Sequence, residues 1–92
     1  MYEVTFDQAD QEFRVLLERE LYAIVKFERQ GNVFTITSTK VPDSLQGKGY
    51  GKLMMERVLT EIEKMEGKVI AKCSFVVIYL DRNPHWQHLR VY

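Results

Sequence analysis

The sequence predicts an α+β domain in which an antiparallel strand meander leads through a glycine loop into one central helix and then a further strand. Three observations carry this. Strand-forming residues dominate the first half of the chain. The stretch Gln46-Gly47-Lys48-Gly49-Tyr50-Gly51 breaks the pattern. Beyond Gly51 the apolar period changes from that of a strand to that of a helix.

In chain order, Glu3 to Phe6 is a weak candidate for an edge strand. Phe13, Val15 and Leu17 then alternate with Arg14, Leu16 and Glu18, as on a half-buried strand. After a polar break at Arg19-Glu20, Leu21 to Glu28 is rich in strand formers, among them Tyr22, Ile24, Val25 and Phe27. Arg29-Gln30-Gly31-Asn32 is a turn cluster in which Gly31 and Asn32 tolerate positive φ. A third strand comes next, Val33 to Val41. Pro42 stops it, because proline offers no N–H to a ladder and keeps Val41 extended. Asp43-Ser44 opens the glycine loop.

Met54, Met55, Val58, Leu59, Ile62 and Met65 recur at helical spacing, with Glu56, Arg57, Glu61, Glu63 and Lys64 on the other side. This predicts a helix from about Gly51 to Glu66, with Gly67 at C′ and the methionines as core. Lys68 to Cys73 fits a strand. Phe75-Val76-Val77-Ile78-Tyr79-Leu80 is ambiguous: its β-branched residues favour a strand, whereas Ser74 is a good N-cap and 75/79 and 76/80 are helical pairs. Residues 85–92 form a short tail, with Trp86 as its anchor.

Ninety-two residues make one small domain, read as 1–92, that buries roughly 60–68% of its unfolded surface. A hydrophobic content of 46% with 28% charged residues excludes a disordered, collagen-like or coiled-coil chain. Thirteen basic and thirteen acidic residues give no net charge, which argues against a nucleic-acid binder. The balance is uneven. Residues 1–39 hold four basic and seven acidic groups, and residues 40–92 hold nine and six, so a polyanion prefers the second half. Cys73 is the single cysteine and forms no internal disulfide. No apolar run reaches membrane-spanning length and no signal peptide is visible, so a cytoplasmic monomer without membrane or nucleic-acid partners is expected. His85 and His88 make a poor metal site, and none is expected.

A glycine turn between a strand and a helix presents unpaired backbone N–H groups at the positive end of the helix dipole, which suits phosphate. Gly47, Gly49 and Gly51 permit close approach; Lys48 and Lys52 add charge, with Lys40 nearby. Each charge-assisted hydrogen bond contributes about 1.5–3 kcal/mol. A P-loop is excluded, because it needs glycine at 46 and Ser or Thr at 53, where the chain has Gln46 and Leu53. A dinucleotide fingerprint fails too, at Lys52 or Met54 according to where it starts.

The pattern that matches is Q/R-x-x-G-x-G/A. Gln46 to Gly51 resembles the acyl-CoA pyrophosphate loop of the Gcn5-related N-acetyltransferase (GNAT) superfamily. The resemblance extends to a short single-domain subfamily through Thr39-Lys40-Val41-Pro42, Cys73-Ser74-Phe75-Val76, Tyr79-Leu80 and Asn83-Pro84. It covers roughly residues 12–90 and implies a compact GNAT fold. The pre-loop strand (Thr35 to Val41) and the post-helix strand (Val69 to Cys73) then splay apart around acetyl-CoA, and Ser74 to about Arg82 is a C-terminal helix. The implied cofactor site is Val41, Gln46, Gly47, Lys48, Gly49, Tyr50, Gly51 and Lys52.

The implied activity is acetyl-CoA-dependent acetyl transfer to an amine of unknown identity, a protein lysine or a small amine. An amine attacks the thioester, an oxyanion forms and the CoA thiolate leaves. Tyr79 is carried over as candidate general acid; the other reading is a core aromatic. Cys73 has three readings: acetyl acceptor, positioned polar group beside the thioester, or small buried hydrophobe. Neither flanking strand carries an acidic residue, so the carboxylate base of larger relatives has no counterpart; Glu28 and Asp43 are expected in solvent. The alternative reading is a non-catalytic acyl-CoA-binding module.

Overall fold

The computed structural model describes residues 2–91. Five strands lie in these residues: β1 (Val4–Asp7), β2 (Glu12–Glu18), β3 (Leu21–Gln30), β4 (Val33–Lys40) and β5 (Lys68–Ala71). They form one sheet in sequence order. β1 to β4 are an antiparallel meander, and β4 pairs with β5 in parallel. A parallel pair needs a crossover, and helix α1 (Tyr50–Lys64) supplies it. Helix α2 (Ser74–Arg82) comes after β5, and a 3₁₀ segment (Pro84–Leu89) closes the chain. The α+β expectation holds, and the ambiguous run from Phe75 is helix, as the family resemblance implied.

Side-chain alternation on the strands builds the core. Phe13, Val15 and Leu17 of β2, Ala23, Val25 and Phe27 of β3, Phe34 and Ile36 of β4, and Val69 of β5 are all buried. They share one cluster with Met54, Met55, Val58, Leu59 and Ile62 of α1 and Val76 and Leu80 of α2. Both helices therefore cover the same face of the sheet. Burial on this scale contributes about 1.5–3 kcal/mol per large side chain, which outweighs the poor strand or helix propensity of any single residue. Phe13, Phe27 and Phe34 pack as rings 5.1 to 5.9 Å apart, with Phe6 of the edge strand beside them. The 3₁₀ segment docks through buried Trp86 and Leu89, and the Val91 N–H donates to the Val69 carbonyl at 2.8 Å. Tyr92, assigned to this tail, lies outside the described residues.

Several boundaries differ from expectation. β3 runs on through Arg29 and Gln30, because Gln30 still pairs with Val33. The hairpin turn is thus Gly31-Asn32, with the positive φ at Gly31. At the end of α1, Glu66 and not Gly67 occupies C′, with φ 57°. The N–H of Glu66 donates to Glu63 O and that of Gly67 to Ile62 O, both at 2.9 Å, which makes a Schellman closure. Gly67 serves packing instead: a Cβ there meets Ile62 Cγ2 and Phe34 Cε1 at 2.9 Å. Ser74 is the first residue of α2, and Cys73 is its N-cap.

The site depends on how β4 and β5 part. They pair only over Val33–Ile36 and Lys68–Ala71. Lys72 and Cys73 then turn both of their N–H groups onto the Ile36 carbonyl, at 3.0 and 3.2 Å. Beyond Ile36, β4 continues on β3 alone as far as Lys40. The expected splay is present, and it makes β5 two residues shorter than the strand read from the sequence. A bulge adds to it. Phe27 faces Ile36 but Lys26 faces Ser38, so Thr37 has no opposite residue. The slip of one residue reverses the facing of the strand beyond Thr37, and Thr39 and Val41 turn toward the helices.

The two residues at the end of α1 make opposite predictions. Gly67→Ala will lower stability by about 1–3 kcal/mol, because both neighbours of the new methyl are core side chains. Glu66→Gly will raise stability by relieving the left-handed backbone. Thermal melts of the two variants check this, and equal or reversed shifts would contradict the closure described.

Candidate active site

The glycine loop enters α1 through two residues in left-handed conformation, Gly47 at φ 81° and Gly49 at φ 82°. Gly49 is the N-cap, so no side chain closes the first turn of α1, and that turn contains no acidic residue. The amide groups of Tyr50, Gly51 and Lys52 are left at the positive end of a fifteen-residue helix. Nothing lies within 4 Å of a Cβ built on Gly47 or Gly49, so the space beside the loop is open. Gly51 is glycine for a different reason: its Cβ would meet Phe75 Cζ at 2.9 Å. Phe75, from the first turn of α2, therefore packs directly on the first turn of α1.

Two further contacts hold the loop. Gln46 Nε2 donates to Val41 O at 3.1 Å and to Asp43 Oδ1 at 3.3 Å, closing the 3₁₀ turn Asp43–Leu45. The Tyr50 hydroxyl donates to Glu18 Oε2 on β2. This bond, with burial and the Glu18 charge, pushes the phenol up to about 12. Tyr50 is thus neutral across the physiological range and acts as a fastener between α1 and the sheet.

Between the loop and the splayed strands lies a cavity of about 340 Å³ lined by Thr39, Val41, Leu45, Gln46, Gly47, Gly49, Tyr50, Gly51, Met54 and Phe75. Six of the residues singled out from the sequence meet here: Val41, Gln46, Gly47, Gly49, Tyr50 and Gly51. Lys48 is exposed and lines no part of the cavity. Lys52 points to neighbouring hollows instead. Thr39, Leu45, Met54 and Phe75 complete the lining and were not in the sequence-derived set.

Cys73 lies behind Thr39, with Sγ 3.5 Å from the Thr39 hydroxyl. Burial pushes the thiol up. The Thr39 hydroxyl and the N–H groups of Val76, Phe75 and Thr39 outweigh it and leave the thiol below its ordinary value. The amides of the α2 first turn lie toward the sulfur without closing a capping bond.

Tyr79 is placed elsewhere. Its ring lies beyond Phe75, centroids 6.5 Å apart, and it does not line the cavity. Its hydroxyl donates to Glu56 Oε2, the same oxygen that receives Trp86 Nε1–H at 2.8 Å, with His85 Nε2 at 3.6 Å. Glu56 thereby ties α1, α2 and the C-terminal segment together. Glu28 and Asp43 are exposed, as expected. Among the described residues there is no group of three or more potential metal ligands.

β4, the glycine loop and the first turns of α1 and α2 thus surround one cavity, beside the point where β5 parts from β4. The family model for GCN5-related N-acetyl-transferases matches residues 12–89, and the chain belongs to that family. The structure is similar to the NMR solution structure of a GCN5-like candidate N-acetyltransferase from Staphylococcus aureus. That match has 26% identity and a TM-score of 0.70, and covers 97% of this chain and 87% of the other. No curated protein gives a significant match. No helix of the described residues is long and apolar enough to cross a membrane.

The Cys73 environment yields a pH prediction. Alkylation by iodoacetamide will follow a titration with its midpoint below the ordinary thiol value of 9.0, since a depressed value means more thiolate at a given pH. Thr39→Val will move that midpoint upward. A wild-type midpoint at or above the ordinary value would show that burial dominates.

Proposed function

We propose that the chain is an acetyl-CoA-dependent N-acetyltransferase acting on an amine, with Val41, Gln46, Gly47, Gly49, Tyr50 and Gly51 forming the coenzyme site. The observation that carries this is the continuity of the uncapped α1 N-terminus with the unpaired edge of β4 through one cavity. The amides at residues 49–52 suit a diphosphate. The Thr37–Lys40 edge, unpaired on its β5 side, offers backbone donors and acceptors to an extended amide chain, as one more strand would use them. Lys48 and Lys52 contribute longer-range attraction rather than contacts inside the cavity.

Bound there, the thioester supplies an activated acyl group and a thiolate leaving group. The chain's own residues bind, orient and exclude water. Met54, Leu45 and Phe75 give the cavity its apolar walls. Cys73 and Thr39 stand at the mouth of the splay as a thiol–hydroxyl pair able to hold or relay a proton. In this role Cys73 is a positioned polar group; a mass gain of one acetyl group on Cys73 after incubation with acetyl-CoA would instead make it the acyl acceptor. Tyr79 serves as an acid only if it gives up Glu56.

That last point favours a second reading, a non-catalytic acyl-CoA-binding module. No carboxylate lines the cavity, and the Tyr79 proton is directed at Glu56. Turnover separates the readings: release of free CoA from acetyl-CoA across a panel of amines supports the enzyme, and binding without release supports the module.

Binding itself is tested by thermal stability. At a ligand concentration of about 100 Kd, CoA will stabilise the wild type by about 2.7 kcal/mol. Gly49→Glu places a bulky anion in the left-handed N-cap position and will abolish this gain while the circular dichroism spectrum is retained. Equal stabilisation of both proteins would remove the loop assignment and the proposed function with it.

A further inference from the structure

Both helices and the 3₁₀ segment share one core cluster, so the opposite face of the sheet is bare among the described residues. Where β4 and β5 part, that face is cationic. Lys40 is opposite Ile24, which stands between the buried Ala23 and Val25. The bulge that turns Thr39 and Val41 toward the helices therefore puts Lys40 on the bare side. Lys72 comes just after β5, between Ala71 and Cys73, and these two pack against the core while Lys72 is exposed. One lysine thus stands on each of the two diverging segments. Neither has a hydrogen-bond or ion-pair partner among the described residues. The carboxylates of this region are engaged or set back. Glu12 takes Lys26 at 2.8 Å and Arg14 at 2.6 Å, and Asp43 Oδ1 receives Gln46 Nε2 at 3.3 Å. Glu28 is opposite Thr35, where β4 is still paired with β5. The opening is therefore flanked on its bare side by two unneutralised positive charges.

On the coenzyme reading the thioester lies at the mouth of the splay, and Leu45, Met54 and Phe75 wall off the helix side of that space. An amine then reaches the acyl carbon from the bare side, past Ile36. We propose that the acceptor is a lysine in an acidic peptide segment, laid across this face with its carboxylates toward Lys40 and Lys72. Charge complementarity argues for the acidity. Shape argues for the peptide, because an open sheet surface lacks the enclosing walls that hold a small molecule and suits an extended chain. In the transfer the N–C bond forms as the C–S bond breaks. Two protons leave the acceptor ammonium, one to the CoA thiolate and one to solvent. The proposal rests on the transferase reading above and adds to it a choice among acceptors, against polycations and for acidic segments.

The experiment measures acetyl transfer from acetyl-CoA to three peptides, blocked at the N-terminus, in which one lysine is flanked by two aspartates, two glutamines or two arginines. The wild type will show kcat/KM falling in that order, with about a tenfold span from first to last, the scale of two exposed ion pairs. Lys72→Gln will narrow the span to about threefold, and Lys40→Glu combined with Lys72→Glu will reverse the order. The ratio between peptides is the readout, because a loss of folding or of coenzyme affinity lowers all three rates alike. Raising the salt concentration will narrow the wild-type span, because both lysines are exposed. Equal wild-type rates, a reversed wild-type order, or a span that neither variant narrows would overturn the acceptor assignment while leaving acetyl transfer intact. So would transfer to a small amine with none to any peptide. Binding of CoA without turnover on any peptide or amine would overturn the transferase reading and this proposal together.

Discussion

The Ile36 carbonyl is the point on which the architecture turns. It accepts both the Lys72 and the Cys73 N–H, at 3.0 and 3.2 Å, and no rung between β4 and β5 lies beyond it. Two strands that stayed paired past this point would close the sheet and leave nothing for a ligand to join. Because they part, β4 keeps an unpaired edge whose amides and carbonyls need partners from outside the sheet. Under the proposed function, binding and incomplete pairing are two sides of this one feature. The cost is contained, since the open edge covers only a few residues and its other side remains hydrogen-bonded to β3.

The bulge at Thr37 and the helix end at Gly49 make that opening usable. Without the extra residue, Ser38 and Lys40 would face the helices in place of Thr39 and Val41. The cavity would then acquire a lysine and lose the hydroxyl beside Cys73. The helix end meets the same space from the other side, and Phe75 fixes the separation by resting on Gly51. Three glycines thus do two different jobs. Gly47 and Gly49 give the chain a conformation, and Gly51 gives a neighbouring ring its place. A side chain at Gly51 would disturb α2 before it disturbed any ligand.

Much of this was legible in the residues. Alternation in β2 to β4, the change of period after Gly51 and the glycine loop between them were local signals, and local signals survive folding when the core agrees with them. The run from Phe75 was not, because β-branched content and helical spacing pointed in opposite directions, and only the family resemblance resolved it. The bulge was hidden for a plainer reason: Thr35, Thr37 and Thr39 are alike, so nothing marks where the alternation slips. Phe75 was missed as a cavity wall, and the Glu56 junction was missed altogether. Its partners Tyr79 and Trp86 lie 23 and 30 positions away, and no short-range pattern brings them together. The placement of Gly67 at C″ rather than C′ is the same kind of error on a smaller scale. Glycine there answers Phe34, which a reading along the helix does not see.

The position of Tyr79 bears on what kind of catalyst so small a fold can be. Moving an acyl group from a thioester to a neutral amine shifts one proton from nitrogen to sulfur; from an ammonium, a further proton leaves to solvent. A well-placed acid or base contributes about 10²–10⁴-fold to such a step. Holding the reactants in one oriented site contributes about 7–11 kcal/mol, which is several orders of magnitude more. The chain's investment follows that ratio. On the proposed reading, the loop, the splay, the bulge and the Phe75 wall all serve placement. The tyrosine hydroxyl that would serve as acid is spent on Glu56, where it joins α1, α2 and the C-terminal segment. For the transfer proposed here, the thiol–hydroxyl pair of Cys73 and Thr39, of which Thr39 lines the cavity, is the proton-bearing group left at the opening, whereas the Tyr79 hydroxyl is turned to Glu56.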